Sequence, residues 1–297
     1  MSKISAIILI GFAVITIYPQ DSYDLNKSGL KSFQRGNYDS AIADFTRAIE
    51  LSSKLVVKSS DSFRNNFSDA DQITVLDPLT AAAYVNRGKA YFAKRSFENA
   101  ISDYDHALTI SPAMTAALLC RGIARVSTGQ FDLALADFER VIKLNGDQID
   151  GYIGRGAVFQ AQGDMAAAMN DFNTAVRLGP KNAVPFYYRG ESLRRSGNLT
   201  AALSDFENAI KLNSKFPNGY LGRSLIRMKE GRLEDAIADL TIAIKLDGRL
   251  AYAYVNRGLA YWALGKGNEA ESDFARALEK DRTLESEIVE GKSKIRH

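Results

Sequence analysis

The chain has 297 residues, room for roughly two domains at ~150 residues each, or for one array if the sequence repeats. Hydrophobic residues make up 46% and charged residues 25%, the balance of an ordinary folded protein, which excludes disordered, collagen-like and polytopic membrane chains. Thirty-eight Lys and Arg against 35 Asp and Glu give a net charge of +3, too small over this length to mark a nucleic-acid binder.

After Lys3, the stretch Ile4 to Tyr18 carries no charge and ends at Pro19. A positive start followed by an apolar core of this length describes a secretory signal peptide, whereas a spanning helix usually needs about 20 apolar residues. Residues 1–20 are therefore expected to export the chain to a periplasm, cell envelope or secretory pathway. A small-x-small cleavage pattern is absent around Tyr18-Pro19-Gln20, which keeps open a retained membrane anchor through residues 4–18. No cysteine stands here for lipid attachment.

Beyond Asp21 the sequence repeats. Arg-Gly pairs recur at Arg87-Gly88, Arg121-Gly122, Arg155-Gly156, Arg189-Gly190 and Arg257-Gly258, with Arg223-Ser224 filling the remaining slot at a period of 34. Ala41, Ala100, Ala134, Ala168, Ala202, Ala236 and Ala270 keep the same register, each followed four residues later by Phe45, Tyr104, Phe138, Phe172, Phe206, Leu240 or Phe274. Five residues before each alanine stands a turn glycine, except at Arg95. In the fourth unit, Ile149 to Asn182, Tyr152, Arg155, Gly156 and Phe159 fall on one helical face. Gly163-Asp164 breaks that helix, and Ala168, Phe172 and Ala175 form a second face. Each unit is thus predicted to be a helical hairpin, with small residues where backbones approach and large ones where the gap must be filled.

These motifs resemble the tetratricopeptide repeat, a 34-residue helix-turn-helix unit, and the resemblance covers Ser22 to about Arg282. It implies an all-α, right-handed α-solenoid. The expected organisation is repeat 1 over residues 22–55, an insertion over 56–80, repeats 2–7 over 81–282 and a C-terminal capping helix over 283–297. Gly36 and Arg95 lie 59 residues apart instead of 34, which places 25 extra, serine-rich residues between Ser52 and Val75 as a solvated loop. Ser28 and Ser32 weaken repeat 1, and Arg125 and Arg227 replace the second aromatic in repeats 3 and 6.

The candidates for chemistry are few. Asp103, Asp137, Asp171, Asp205, Asp239 and Asp273 each follow Arg87, Arg121, Arg155, Arg189, Arg223 and Arg257 by 16 residues. A pair reused in six units is a structural ion pair, not an active site, and spacing leaves open whether it closes within a repeat or across to the next. The single Cys120, with only His106 and His297, supplies neither a disulfide nor a zinc site, so no metal, cofactor or catalytic residue is expected. Gly151-x-x-Gly154-x-Gly156 lies on a helix face with no preceding strand and cannot cradle a phosphate.

The resemblance further implies that first helices line a concave face, with partner segments held by their second, fifth, sixth, ninth, twelfth and thirteenth positions. By register the fifth positions are Asn26, Val85, Leu119, Ile153, Tyr187, Leu221 and Val255. The twelfth are Phe33, Phe92, Val126, Gln160, Arg194, Met228 and Trp262, with Arg195 and Lys229 beside two of them. This reads as an apolar groove with a basic spot in repeats 5 and 6. The expected function is a non-enzymatic scaffold or adaptor that binds a protein or peptide partner and no nucleic acid. The alternative is a self-associating structural or assembly factor of the cell envelope, a homo-oligomer.

Overall fold

The computed structural model describes residues 4–7, 16–53 and 78–295. Two short strands, β1 (Ile4–Ile7) and β2 (Thr16–Pro19), pair antiparallel with Ile4 opposite Pro19 and Ile7 opposite Thr16. The apolar N-terminal run, expected as a signal peptide or anchor, therefore holds two extended segments, and its residues 8–15 lie outside the described residues. Among the described residues, no helix is long and apolar enough to cross a membrane.

The rest is helical. Repeat 1 is α1 (Gln20–Gln34) and α2 (Tyr38–Ser53); repeat 2 is α3 (Pro78–Ala93) and α4 (Phe97–Ile110). Then follow α5 (Thr115–Ser127), α6 (Phe131–Leu144), α7 (Ile149–Ala161), α8 (Met165–Leu178), α9 (Ala183–Arg195), α10 (Leu199–Leu212), α11 (Pro217–Lys229), α12 (Leu233–Leu246), α13 (Ala251–Ala263), α14 (Gly267–Lys280) and α15 (Glu285–Lys294). Of the expected insertion, residues 54–77 lie outside the described residues, while 78–80 already form the first turn of α3. The chain forms two compact units, Met1–Gly154 and Arg155–His297, in each of which consecutive helices pack as antiparallel hairpins.

What holds a hairpin together is a large residue from the second helix driven against the backbone of the first. Phe45, Tyr104 and Phe138 in the first unit, and Phe172, Phe206, Leu240 and Phe274 in the second, are fully buried, each a burial worth about 2–3 kcal/mol. A Cβ placed on Gly122 would lie 2.8 Å from Cε1 and Cζ of Phe138, and one on Gly154 would lie 2.3 Å from Cε1 of the same ring. Phe138 is thus gripped by glycine on both sides, and the glycine-rich run of α7 is a packing device. Repeat 6 changes both partners: Leu240 replaces the aromatic ring and Ser224 replaces the glycine, its hydroxyl donating to the Leu221 carbonyl at 2.6 Å.

The turn between paired helices follows from backbone geometry. Gly129 has φ +75°, the left-handed region that glycine enters freely, and the next amide, that of Gln130, donates back to the Arg125 carbonyl at 2.8 Å, closing the helix in the manner of a Schellman cap. Arg95 takes the equivalent place with φ +61°.

The repeated arginines settle the pairing left open by the spacing. Nε and Nη2 of Arg87, Arg121, Arg155, Arg189, Arg223 and Arg257 donate to both oxygens of Asp103, Asp137, Asp171, Asp205, Asp239 and Asp273 at 2.5 to 3.0 Å. The pair is therefore within the repeat. The third nitrogen, Nη1, also reaches the preceding repeat, from Arg87 to Thr46, Arg121 to Asp105, Arg189 to Asn173 and Arg257 to Thr241. One guanidinium so ties three helices, and its planar fork matches the carboxylate bidentately. Arg125 and Arg227 do not loosen their repeats: each donates to the same aspartate, at 2.7 Å to Asp137 and 2.8 Å to Asp239.

Helix α15 starts 34 residues after α13 and occupies the place of an eighth first helix. Leu284 and Ile288 are buried against the last hairpin. Where earlier first helices carry Arg-Gly for their second helix, α15 carries Gly291-Lys292. The Lys292 ammonium turns back instead, 4.1 Å from the Trp262 ring centroid and 2.6 Å from Glu271.

Candidate functional site

The outward face of the first helices differs from the fifth-and-twelfth-position reading. In the first unit Val85 is 3% exposed and Ile153 7% exposed, so both are core. Val85 packs in the cluster of Ala100, Tyr104 and Ala107 from α4, because the fifth position turns toward the hairpin interior. Phe92, Leu119 and Val126 remain half-buried. Ile123, at a ninth position, is 48% exposed, and Lys89, one repeat earlier in the same register, is exposed too.

The second unit repeats this division. Val255 is 1% exposed and packs with Phe274 and Ala277, and Trp262 lies under the Lys292 side chain of α15. Tyr187 belongs to an aromatic cluster, with ring centroids 5.3 Å from Tyr188, 6.1 Å from Phe206 and 5.7 Å from Phe216. Its burial pushes the phenol up to about 12. Leu221 and Met228 are half-buried, as is Leu225 at a ninth position. Ile123 and Leu225 were missed by a reading confined to fifth and twelfth positions, although the ninth-position register identifies both.

The basic spot is also smaller than its sequence. Arg194 donates to Glu191 in a bidentate contact at 2.5 and 3.0 Å, and Arg195 reaches the same carboxylate at 3.4 Å. Hydrogen bonding to Glu191 raises the Arg194 pKa, so this pair stays charged. Arg195 and Lys229 are exposed.

The structure brings no nucleophile to a base at the residues considered. Burial raises the Cys120 thiol, which shares a hydrogen bond with the Tyr104 hydroxyl. His106 is exposed, stacks on Tyr84 with centroids 5.1 Å apart, and has Nδ1 2.7 Å from the Ser102 carbonyl. Among the described residues no group of three His, Cys, Asp or Glu is placed to hold a metal.

Family models described as tetratricopeptide repeat match residues 81–114, 121–183 and 251–283, and a third, described as TPR repeat, matches 225–265. The chain is a tetratricopeptide-repeat protein. Among solved structures, it is similar to a tetratricopeptide repeat protein from Parabacteroides merdae, with 19% identity over 92% of this chain and 98% of that one and a TM-score of 0.63. It is also similar to yeast Tom70, at 17% identity over 93% and 63% with a TM-score of 0.63, and to pilF of Pseudomonas aeruginosa, at 18% over 72% and 97% with a TM-score of 0.54. A search of curated proteins found no match. At these identities the structural likenesses establish the fold. In this tetratricopeptide-repeat protein, then, the thirteenth positions are the most exposed on the first helices, the ninth and twelfth are exposed or half-buried, and the fifth divide between buried Asn26, Val85, Ile153 and Val255 and half-buried Leu119, Tyr187 and Leu221.

Proposed function

We propose that the protein is a non-enzymatic adaptor that holds segments of partner proteins on the first-helix faces of its units. The observation that carries this reading is apolar surface left in register on helices whose opposite side is wholly committed to the core. Leu119, Ile123 and Val126 provide it in the first unit, and Leu221, Leu225 and Met228 in the second. Contiguous apolar surface of this kind is characteristic of partner sites, and an extended or helical segment laid along the helices would cover it. The uncharged run from Ile4 to Tyr18 supports action after export or at a membrane.

The test is site-specific photo-crosslinking in native cells with the probe at Ile123 or Leu225, and at Glu139 on an outer helix as control. A partner captured at both face positions and absent from the control, and then bound directly as a purified protein, is the expected result. Crosslinks only between copies of this chain would replace the adaptor reading with a self-associating envelope factor. Equal capture at the control would end both. Cell fractionation of the native protein tests export: recovery in the cytosolic fraction alone would overturn that part.

A further inference from the structure

Resting on that adaptor reading, we infer that the face of α9 and α11 takes an acidic segment, one that alternates or flanks apolar side chains with carboxylates. Arg194 and Arg195 end α9 and Lys229 ends α11, with Arg195 and Lys229 34 residues apart at the same position of successive repeats. One carboxylate, Glu191, stands among them, and its bidentate bond is spent on Arg194. The Arg195 side chain keeps 57% of its surface and reaches Glu191 at 3.4 Å through Nε. Lys229 is exposed and, among the described residues, makes no ion pair. Its neighbour in sequence, Glu230, is instead 3.4 Å from Arg232.

The other clustered arginines in this unit are matched with acids. Arg223 and Arg227 converge on Asp239, and Arg232 is held by Asp235 and Glu230. Cations in the last turn interact favourably with the helix carbonyls, but a helix end offers only about half a charge, so Arg195 and Lys229 retain a net positive field. Leu225 and Met228 lie half-buried on α11 within the last turn before Lys229. Two separated cations beside an apolar strip fit a protein segment bearing carboxylates, for which the arginine fork is geometrically suited. With a whole-chain charge of +3, a polyanion such as nucleic acid finds no extended basic track here.

The experiment measures fluorescence anisotropy of the full chain with three labelled peptides of equal length: alternating Leu and Glu, alternating Leu and Lys, and alternating Ser and Glu. The Leu-Glu peptide should bind best and lose affinity with added salt. The double reversal R195E/K229E should weaken it roughly 10-fold, the effect of reversing two exposed pairs, with an unchanged thermal melt, and should improve Leu-Lys binding. Equal binding of Leu-Lys and Leu-Glu, or no effect of the reversal, overturns the acidic assignment; the adaptor reading then stands if L225D still abolishes binding. Equal binding of Ser-Glu shows bare attraction of anions and overturns it too. If no peptide binds and the crosslinks at Ile123 and Leu225 also fail, the adaptor reading falls with it.

Discussion

Gly122→Ser tests whether the array is held by aromatic wedges against glycine backbone. The new Cβ would meet Cε1 and Cζ of Phe138 at 2.8 Å, well inside the ~3.5–4.0 Å at which carbon atoms attract. The ring cannot retreat, because the Gly154 backbone abuts its other side. Overpacking of this kind costs about 1–3 kcal/mol, and the better helix propensity of serine offsets about 0.5 kcal/mol of it, leaving a net loss of about 1–2 kcal/mol. Phe138→Leu removes the clashing atoms and alone should cost about 1 kcal/mol. The chain already contains the compensated version, Leu240 with Ser224, both fully buried in repeat 6. The double mutant G122S/F138L should therefore be no less stable than F138L alone, a coupling of about 1–2 kcal/mol. Repeat arrays open locally, so the assay is urea denaturation combined with hydrogen exchange of the α5 and α6 amides. A silent G122S, or losses that simply add in the double mutant, would refute the wedge.

Asp171→Asn should destabilise the second unit by about 3 kcal/mol, the lower end for a broken buried pair, because Asp171 is 2% exposed while Arg155 keeps 23%. The apolar pair R155M/D171L should come close to the parent in urea; a D171N as mild as the pair would contradict the reasoning. Tyr187, with its phenol pushed up to about 12 by burial against about 10 unfolded, contributes stability that is complete below about pH 10 and is lost as pH rises through 12. Tyrosinate absorbance should show a late step that Y187F removes, and uniform titration of all tyrosines near pH 10 in the folded protein would count against the buried placement.

Most of the fold was legible because a repeat states each packing relation several times. The 34-residue register located the hairpins and the turn glycines and narrowed each arginine to two aspartates, since one clash or one unpaired charge would recur in every unit; only the structure chose the aspartate of the same repeat. Repeat 1 shows the limit of this legibility: Ser28 stands where later repeats have arginine, and Asp44 consequently has no within-repeat guanidinium. The candidate face was harder to read, because exposure depends on a rotation of about 100° per residue that hydrophobicity does not report. Val85, Leu119 and Val255 look alike in sequence, yet Val85 and Val255 are buried and Leu119 is half-buried. Neither the bond from Glu191 to Arg194 nor the Lys292 cover on Trp262 has a repeating counterpart, so no register could announce them.

Helix α15 shows which first-helix residues belong to the fold and which are free for recognition. It keeps the apolar contact of the fourth position in Ile288, but it has Gly291 and Lys292 where five of the first helices have Arg-Gly and that of repeat 6 has Arg223-Ser224. Those two positions serve the second helix of the same repeat, through the aspartate clamp and the ring wedge, and here Lys292 is used to cover Trp262 instead. The thirteenth positions Ser127, Arg195 and Lys229 and the ninth-position Ile123 are exposed, whereas the ninth-position Leu259 packs with Phe274 and against Gly291 of α15. Ile123, Glu191 and Leu225 share one register, and Ser127, Arg195 and Lys229 another, yet each set mixes charge, polarity and size. Residues that stay constant from repeat to repeat answer to packing, and those that vary on the outward face of the same helices are where the proposed adaptor reading places partner specificity.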